Sequence, residues 1–105
     1  MATAITFFVE SEGLKLPDGT VFGAGISPKY QIIDRLNGDY MDVFHIYHFT
    51  GKTWIPECDP LRYREMRDFV HDLVRHYDSC GMKLWEADHS DWDKATWKKQ
   101  VDLSW

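Results

Sequence analysis

Ile5, Phe7 and Val9 alternate with Thr6, Phe8 and Glu10 near the start of the chain, and a period of two predicts a strand buried mainly on one face. Leu14 and Leu16 precede Pro17-Asp18-Gly19, and Val21 and Phe22 follow it. Proline presets φ for a turn and glycine accepts the positive φ that closes it, so a short hairpin is expected here. The glycine-containing stretch 23–28, which ends in Pro28, reads as a loop or a bend between strands.

The middle third carries the clearest β pattern. Residues 30–36 and 40–49 flank Asn37-Gly38, a dipeptide favoured in tight hairpins because both positions tolerate positive φ. Along the second arm Val43, His45, Tyr47 and Phe49 share one face and Phe44, Ile46 and His48 the other. Bulky groups on both faces predict a central strand. Thr50-Gly51-Lys52 then turns the chain into Thr53, Trp54 and Ile55, a third arm.

From Met66 the period changes. Met66, Phe69, Val70, Leu73, Val74 and Tyr77 recur at three- and four-residue spacing, the stripe of an amphipathic helix. Asp59 is placed to cap it, Pro60 suits its first position, and Gly81 suits the position just past its end. Met82, Leu84, Trp85 and Ala87 predict a strand returning to the sheet. Ser90, with Asp93 three residues on, imitates a helix start. Trp97, Val101 and Trp105 fit a helical stripe, while Val101, Leu103 and Trp105 fit strand alternation. The expectation is a short helix over 91–99 followed by an extended tail. The whole predicts an α+β domain: an antiparallel meander with one long amphipathic helix on a face and a short C-terminal helix.

A chain of 105 residues, 44% apolar and 28% charged, is one domain of globular composition. With 12 Lys and Arg against 17 Asp and Glu, its formal net charge is −5, which argues against wrapping a phosphate backbone. No run approaches the roughly 18 to 20 apolar residues of a membrane span, and the first nine residues lack the pattern of a secretory signal. A soluble, cytoplasmic protein is expected. Cys58 and Cys80 lack the close spacing of a zinc or redox pair and read as reduced thiols.

Several fragments imitate catalytic motifs. Gly51-Lys52-Thr53 matches the end of a phosphate-binding loop, but the first glycine of that motif falls on Ile46. Gly23-Ala24-Gly25 lacks the third glycine of a dinucleotide fingerprint. Asp88-His89-Ser90 holds the residue types of a hydrolytic triad, yet consecutive residues do not align base, nucleophile and orienter. His76 and Cys80, four apart on a helix, are the best-spaced metal ligands, and the packing reading of both is preferred. Cys58, just before the expected helix start, is the better-placed nucleophile. No catalytic residue, metal or cofactor is assigned.

Charge and aromatic residues are unevenly placed. Arg62, Arg64, Arg67 and Arg75 gather with Tyr63 on the long helix, interrupted by Glu65, Asp68 and Asp72. Trp85, Trp92, Trp97 and Trp105 crowd the C-terminal quarter beside Glu86, Asp88, Asp91 and Asp93. Trp85 reads as core. Tryptophan is enriched at binding hot spots, and acidic groups around it steer association with a basic partner. Trp92, Trp97, Trp105, Glu86, Asp88, Asp91 and Asp93 are therefore the expected partner-binding residues. The leading expectation is a small acidic, non-enzymatic binding protein, an inhibitor that covers a basic, nucleic-acid-binding surface of a larger protein without itself binding nucleic acid or membrane. In size and acidity it is similar in general type to compact phage-encoded inhibitors, including inhibitors of CRISPR defence. The alternative is a small enzyme or ligand-binding domain with a pocket of His45, Tyr47 and Cys58 on the sheet face. A homodimer through exposed tryptophans is compatible with either.

Overall fold

The computed structural model describes residues 2–22, 25–35 and 43–105. Within them the protein is α+β, a six-stranded antiparallel sheet with one α-helix. The strands are β1 (Ala2–Ser11), β2 (Leu14–Lys15), β3 (Val21–Phe22), β4 (Gly25–Arg35), β5 (Val43–Phe49), β6 (Trp54–Pro56), β7 (Lys83–Ala87) and β8 (Lys98–Gln100), and the helix α1 spans Tyr63–Ser79. The sheet order is β6-β5-β4-β1-β7-β8, while β2 and β3 pair separately.

The β2–β3 ribbon turns as expected. Gly19 has φ 92°, its N–H donates to the Leu16 carbonyl at 2.9 Å, and Asp18 Oδ1 accepts from the Thr20 N–H at 2.9 Å. The expected Asn37-Gly38 turn lies outside the described residues, but its arms pair, Tyr30 against His48 and Arg35 against Val43. β5 is an interior strand between β4 and β6, one place from the sheet edge, and of its two bulky faces only the one carrying Phe44 and Ile46 is buried.

The expected loop over 23–28 is corrected in part. Gly23 and Ala24 lie outside the described residues, whereas Gly25 to Pro28 form the first part of β4 against β1. Phe7 faces Tyr30 and Phe8 faces Pro28, so Lys29 is an extra residue at a bulge. The register with β5 begins only at Tyr30. Proline, which has no N–H to give to a ladder, is thereby accommodated at a bulge where β4 has one neighbour.

The main core lies between the sheet and α1. Residues opposite one another on antiparallel strands share a face, so the registers put Phe7, Val9, Ile32, Ile46 and Leu84 on one side. There they meet Met66, Val70 and Leu73 of α1, and Tyr30 contacts Phe69 edge-on with centroids 5.5 Å apart. The helix begins later than Asp59 and Pro60 suggest. Leu61 exchanges both backbone hydrogen bonds with Phe44, at 2.7 and 2.9 Å, which holds it extended and moves the N-cap to Arg62. Its end is as expected, with Gly81 at φ 72° after the C-cap Cys80.

Two further expectations change. β1 is buried on both faces, because Thr6 and Phe8 are each only 1% exposed. A 3-10 turn at Trp92–Lys94 covers that second face. Trp92 packs against Phe8 at 5.2 Å and Trp85 at 5.9 Å, both edge-on, and Lys98 places its ammonium 4.6 Å from the Trp92 ring centre. The short helix over 91–99 does not form beyond that turn. Asp88 takes the Thr96 and Trp97 N–H groups at 2.9 and 3.1 Å, donors an α-helix would have pointed at carbonyls four residues back. Residues 98–100 instead form β8, with Lys98 opposite Ala87 and Gln100 opposite Trp85.

Candidate functional site

The acidic, tryptophan-rich region is divided by the fold into an inner and an outer part. Glu86 faces the helix side of the sheet beside Phe7 and is 5% exposed. Trp105 closes over it. The indole Nε1–H donates to Glu86 Oε2 at 2.6 Å, the ring meets Phe7 edge-on with centroids 6.0 Å apart, and the main-chain carbonyl of Trp105 accepts from Arg67 Nε at 3.2 Å. His71 Nε2 lies 2.9 Å from the same oxygen. Because a carbonyl only accepts, that contact assigns the proton to Nε2. The structure thus places Glu86 and Trp105, both expected at a partner surface, inside the protein's own packing.

The outer part is a loop over 88–97 closed by its own polar groups. Besides the two amides, Asp88 accepts from the Thr96 hydroxyl, and its own N–H donates to the Trp97 carbonyl at 3.3 Å. His89 Nδ1 accepts from the Asp91 N–H at 2.8 Å, and Asp91 Oδ1 accepts from the Asp93 N–H at 3.0 Å. Trp92 anchors the loop on the sheet. The loop turns outward Trp97, 45% exposed, and the exposed carboxylates of Asp91 and Asp93, with Lys94 exposed between them and the indole. A loop already ordered in this way has little conformational entropy left to lose on binding.

The Thr96 hydroxyl, then the Trp97 amide, hold the Asp88 carboxyl below the ordinary value of 3.8. A lowered folded value means that this loop-closing contribution is complete above 3.8 and is lost as pH falls through the lowered value. The amide resonances of Thr96 and Trp97 are therefore expected to move together with a midpoint below 3.8, a titration absent in Asp88→Asn.

The other sequence candidates are dispersed. His45 and Tyr47 share the half-exposed face of β5, as the alternation predicts, and Phe49 and Trp54 continue it, their rings 4.9 Å apart. His48 is on the opposite face, its Nδ1 2.6 Å from Glu57 Oε2. Cys58 is exposed. Burial first, then Glu57, Asp59 and Glu65, push its thiol up, the reverse of the activation expected from a nearby helix start. Among the described residues no three His, Cys, Asp or Glu side chains are grouped to hold a metal ion, and no helix is long and apolar enough to cross a membrane.

Sequence reasoning missed the roles of Thr96, Lys98 and His71. Asp88 and Thr96 are eight apart with no periodic relation, and His71 meets Trp105 across 34 residues, so no local pattern announces either contact. Comparison with known proteins finds no matching family model, no matching curated protein and no matching solved structure.

Proposed function

We propose that this chain is a small acidic, non-enzymatic binding protein that covers a basic, nucleic-acid-binding surface of a larger protein and thereby inhibits it, with Trp97, Asp91 and Asp93 as the contact. The observation that carries this reading is the self-closed 88–97 loop, which presents an outward indole and two carboxylates from a preordered frame. Rigid aromatic anchors with few rotatable bonds are the usual energetic centre of interfaces. Nearby carboxylates add attraction to a cationic surface and raise the association rate. Glu86 and Trp105 leave the proposed contact, Trp92 supports it from behind, and Asp88 shapes it. Compact inhibitors of defence systems are the general type to which the reading corresponds.

A photoreactive group at position 94, exposed beside the proposed contact, with position 52 as the control, is expected to capture a protein with a cationic nucleic-acid-binding surface from cells that naturally contain the chain. With that protein purified, Trp97→Ala is expected to weaken binding about 30-fold or more, the size of a hot-spot loss. Asp91→Asn with Asp93→Asn is expected to flatten the decline of affinity with salt. Equal capture at both positions, or an affinity indifferent to salt and to Trp97→Ala, overturns the proposal.

A further inference from the structure

The exposed side of α1 carries a second polar site, remote in chemistry from the acidic loop. Tyr63, Arg64, Arg67, Asp68 and His71 line a groove of about 420 Å³, within the range of small-ligand sites. On a helix these positions form two adjacent ridges, 63-67-71 and 64-68, so their side chains converge on one strip. Among the side chains that line it, two are arginines and one is an aspartate.

Two of its walls are held in place. The Trp105 carbonyl accepts from Arg67 Nε and His71 Nε2. Arg67 thus spends one donor on the tail, and its two terminal NH2 groups keep the fork that matches a phosphate edge. Arg64 is exposed, and its guanidinium forms no hydrogen bond or ion pair among the described residues. Tyr63 leans on Phe44, with centroids 6.1 Å apart, yet is 59% exposed. That packing fixes the ring and leaves part of it open for stacking. Asp68 is an acceptor one turn from Arg64 and suits a hydroxyl or amino donor.

Four of the five lining groups therefore answer to parts of a single ligand class, and His71 is engaged with Trp105. We infer that this groove binds a nucleoside monophosphate, with Arg64 and Arg67 on the phosphate, the Tyr63 ring against the base and Asp68 accepting from a sugar hydroxyl or base amino group. Guanidinium forks suit a tetrahedral dianion better than a lysine's point charge would. Stacking on tyrosine suits any base, since every base has a π-face. The site selects for phosphate and ring together and not for one base.

The test is nuclear magnetic resonance titration of the full chain with AMP, adenosine and inorganic phosphate in parallel. AMP is expected to shift the amides of residues 63–71 and to bind at least tenfold more tightly than adenosine or inorganic phosphate. Arg64→Gln is expected to reduce AMP affinity at least tenfold. Tyr63→Leu, which keeps an apolar contact with Phe44, is expected to bring AMP down towards inorganic phosphate. An unchanged amide spectrum outside the helix shows that each variant is folded. The inference is overturned if inorganic phosphate binds as well as AMP, if Arg64→Gln leaves AMP affinity unchanged, or if the shifts fall elsewhere. It is also overturned if a single-stranded oligoribonucleotide occupies the same residues a hundredfold more tightly, which makes the groove part of a strand path.

Discussion

Phe7→Ala is expected to remove roughly 3–5 kcal/mol of folding stability, the cost of truncating a fully buried aromatic side chain. Phe7 is 0% exposed and sits where three parts of the core meet. Its strand pairs with β4 on one side and β7 on the other, and its ring supports Trp105. Truncation leaves a cavity beneath the indole as well as lost burial. Since small domains have only about 5–15 kcal/mol in total, a fall of some 15 °C or more in Tm is expected. Urea unfolding checks this: the midpoint should fall with the slope unchanged, because a change in slope signals an altered denatured or native state. A loss below about 1 kcal/mol overturns the account of Phe7 as the keystone of the core.

The second large effect concerns the pair at 86 and 105. Trp105→Phe keeps an aromatic ring near Phe7 but removes the indole N–H that donates to Glu86 Oε2 at 2.6 Å. A carboxylate 5% exposed then loses its donor, and leaving a buried charged group unpaired costs roughly 2–3 kcal/mol or more. Glu86→Leu in that background removes the stranded charge and is expected to recover part of the loss. The double-mutant cycle should report a coupling of about 1.5–3 kcal/mol. If Trp105→Phe costs the same whether residue 86 is Glu or Leu, the hydrogen bond contributes nothing beyond packing.

These two positions also show where sequence reading stops. The elements with strong local periodicity were legible: β1 from Ile5, Phe7 and Val9, the arms around Asn37-Gly38, the α1 stripe and its Gly81 terminator, and β7 after it. Each depends on contacts between near neighbours or on one residue's backbone preference. Helix onset was misplaced because a tertiary event decided it, the reciprocal bonds between Leu61 and Phe44 overriding Asp59-Pro60. β8 was missed because Lys98, Lys99 and Gln100 carry no apolar signal at all. They are a strand only because β7 offers an unpaired edge and Asp88 pulls the preceding amides out of any helix.

The candidate site was legible by composition but not by orientation. Four tryptophans between positions 85 and 105 and four acids between 86 and 93 marked the region, and nothing in their order separated Glu86 from Asp88. The register does so: Glu86 is opposite Phe7 on the helix side, while Asp88 is past the strand end and exposed. Trp105 and Trp97 separate for a similar reason. One reaches a buried acceptor and the other ends a turn facing solvent.

The contacts made by Trp105 bear on the order in which the sheet closes during synthesis. Phe7 leaves the ribosome before two of its neighbours in space, Glu86 of β7 and Trp105. While only β1 to β6 have emerged, β1 has its β4 neighbour but offers an open edge and a bare phenylalanine towards the missing β7. Closing contacts across so long a stretch of chain incurs most of its loop entropy before the reward arrives. The nascent sheet is therefore expected to remain open on that edge until almost the whole chain described here has been released, and to close in a single late step when Trp105 settles on Glu86.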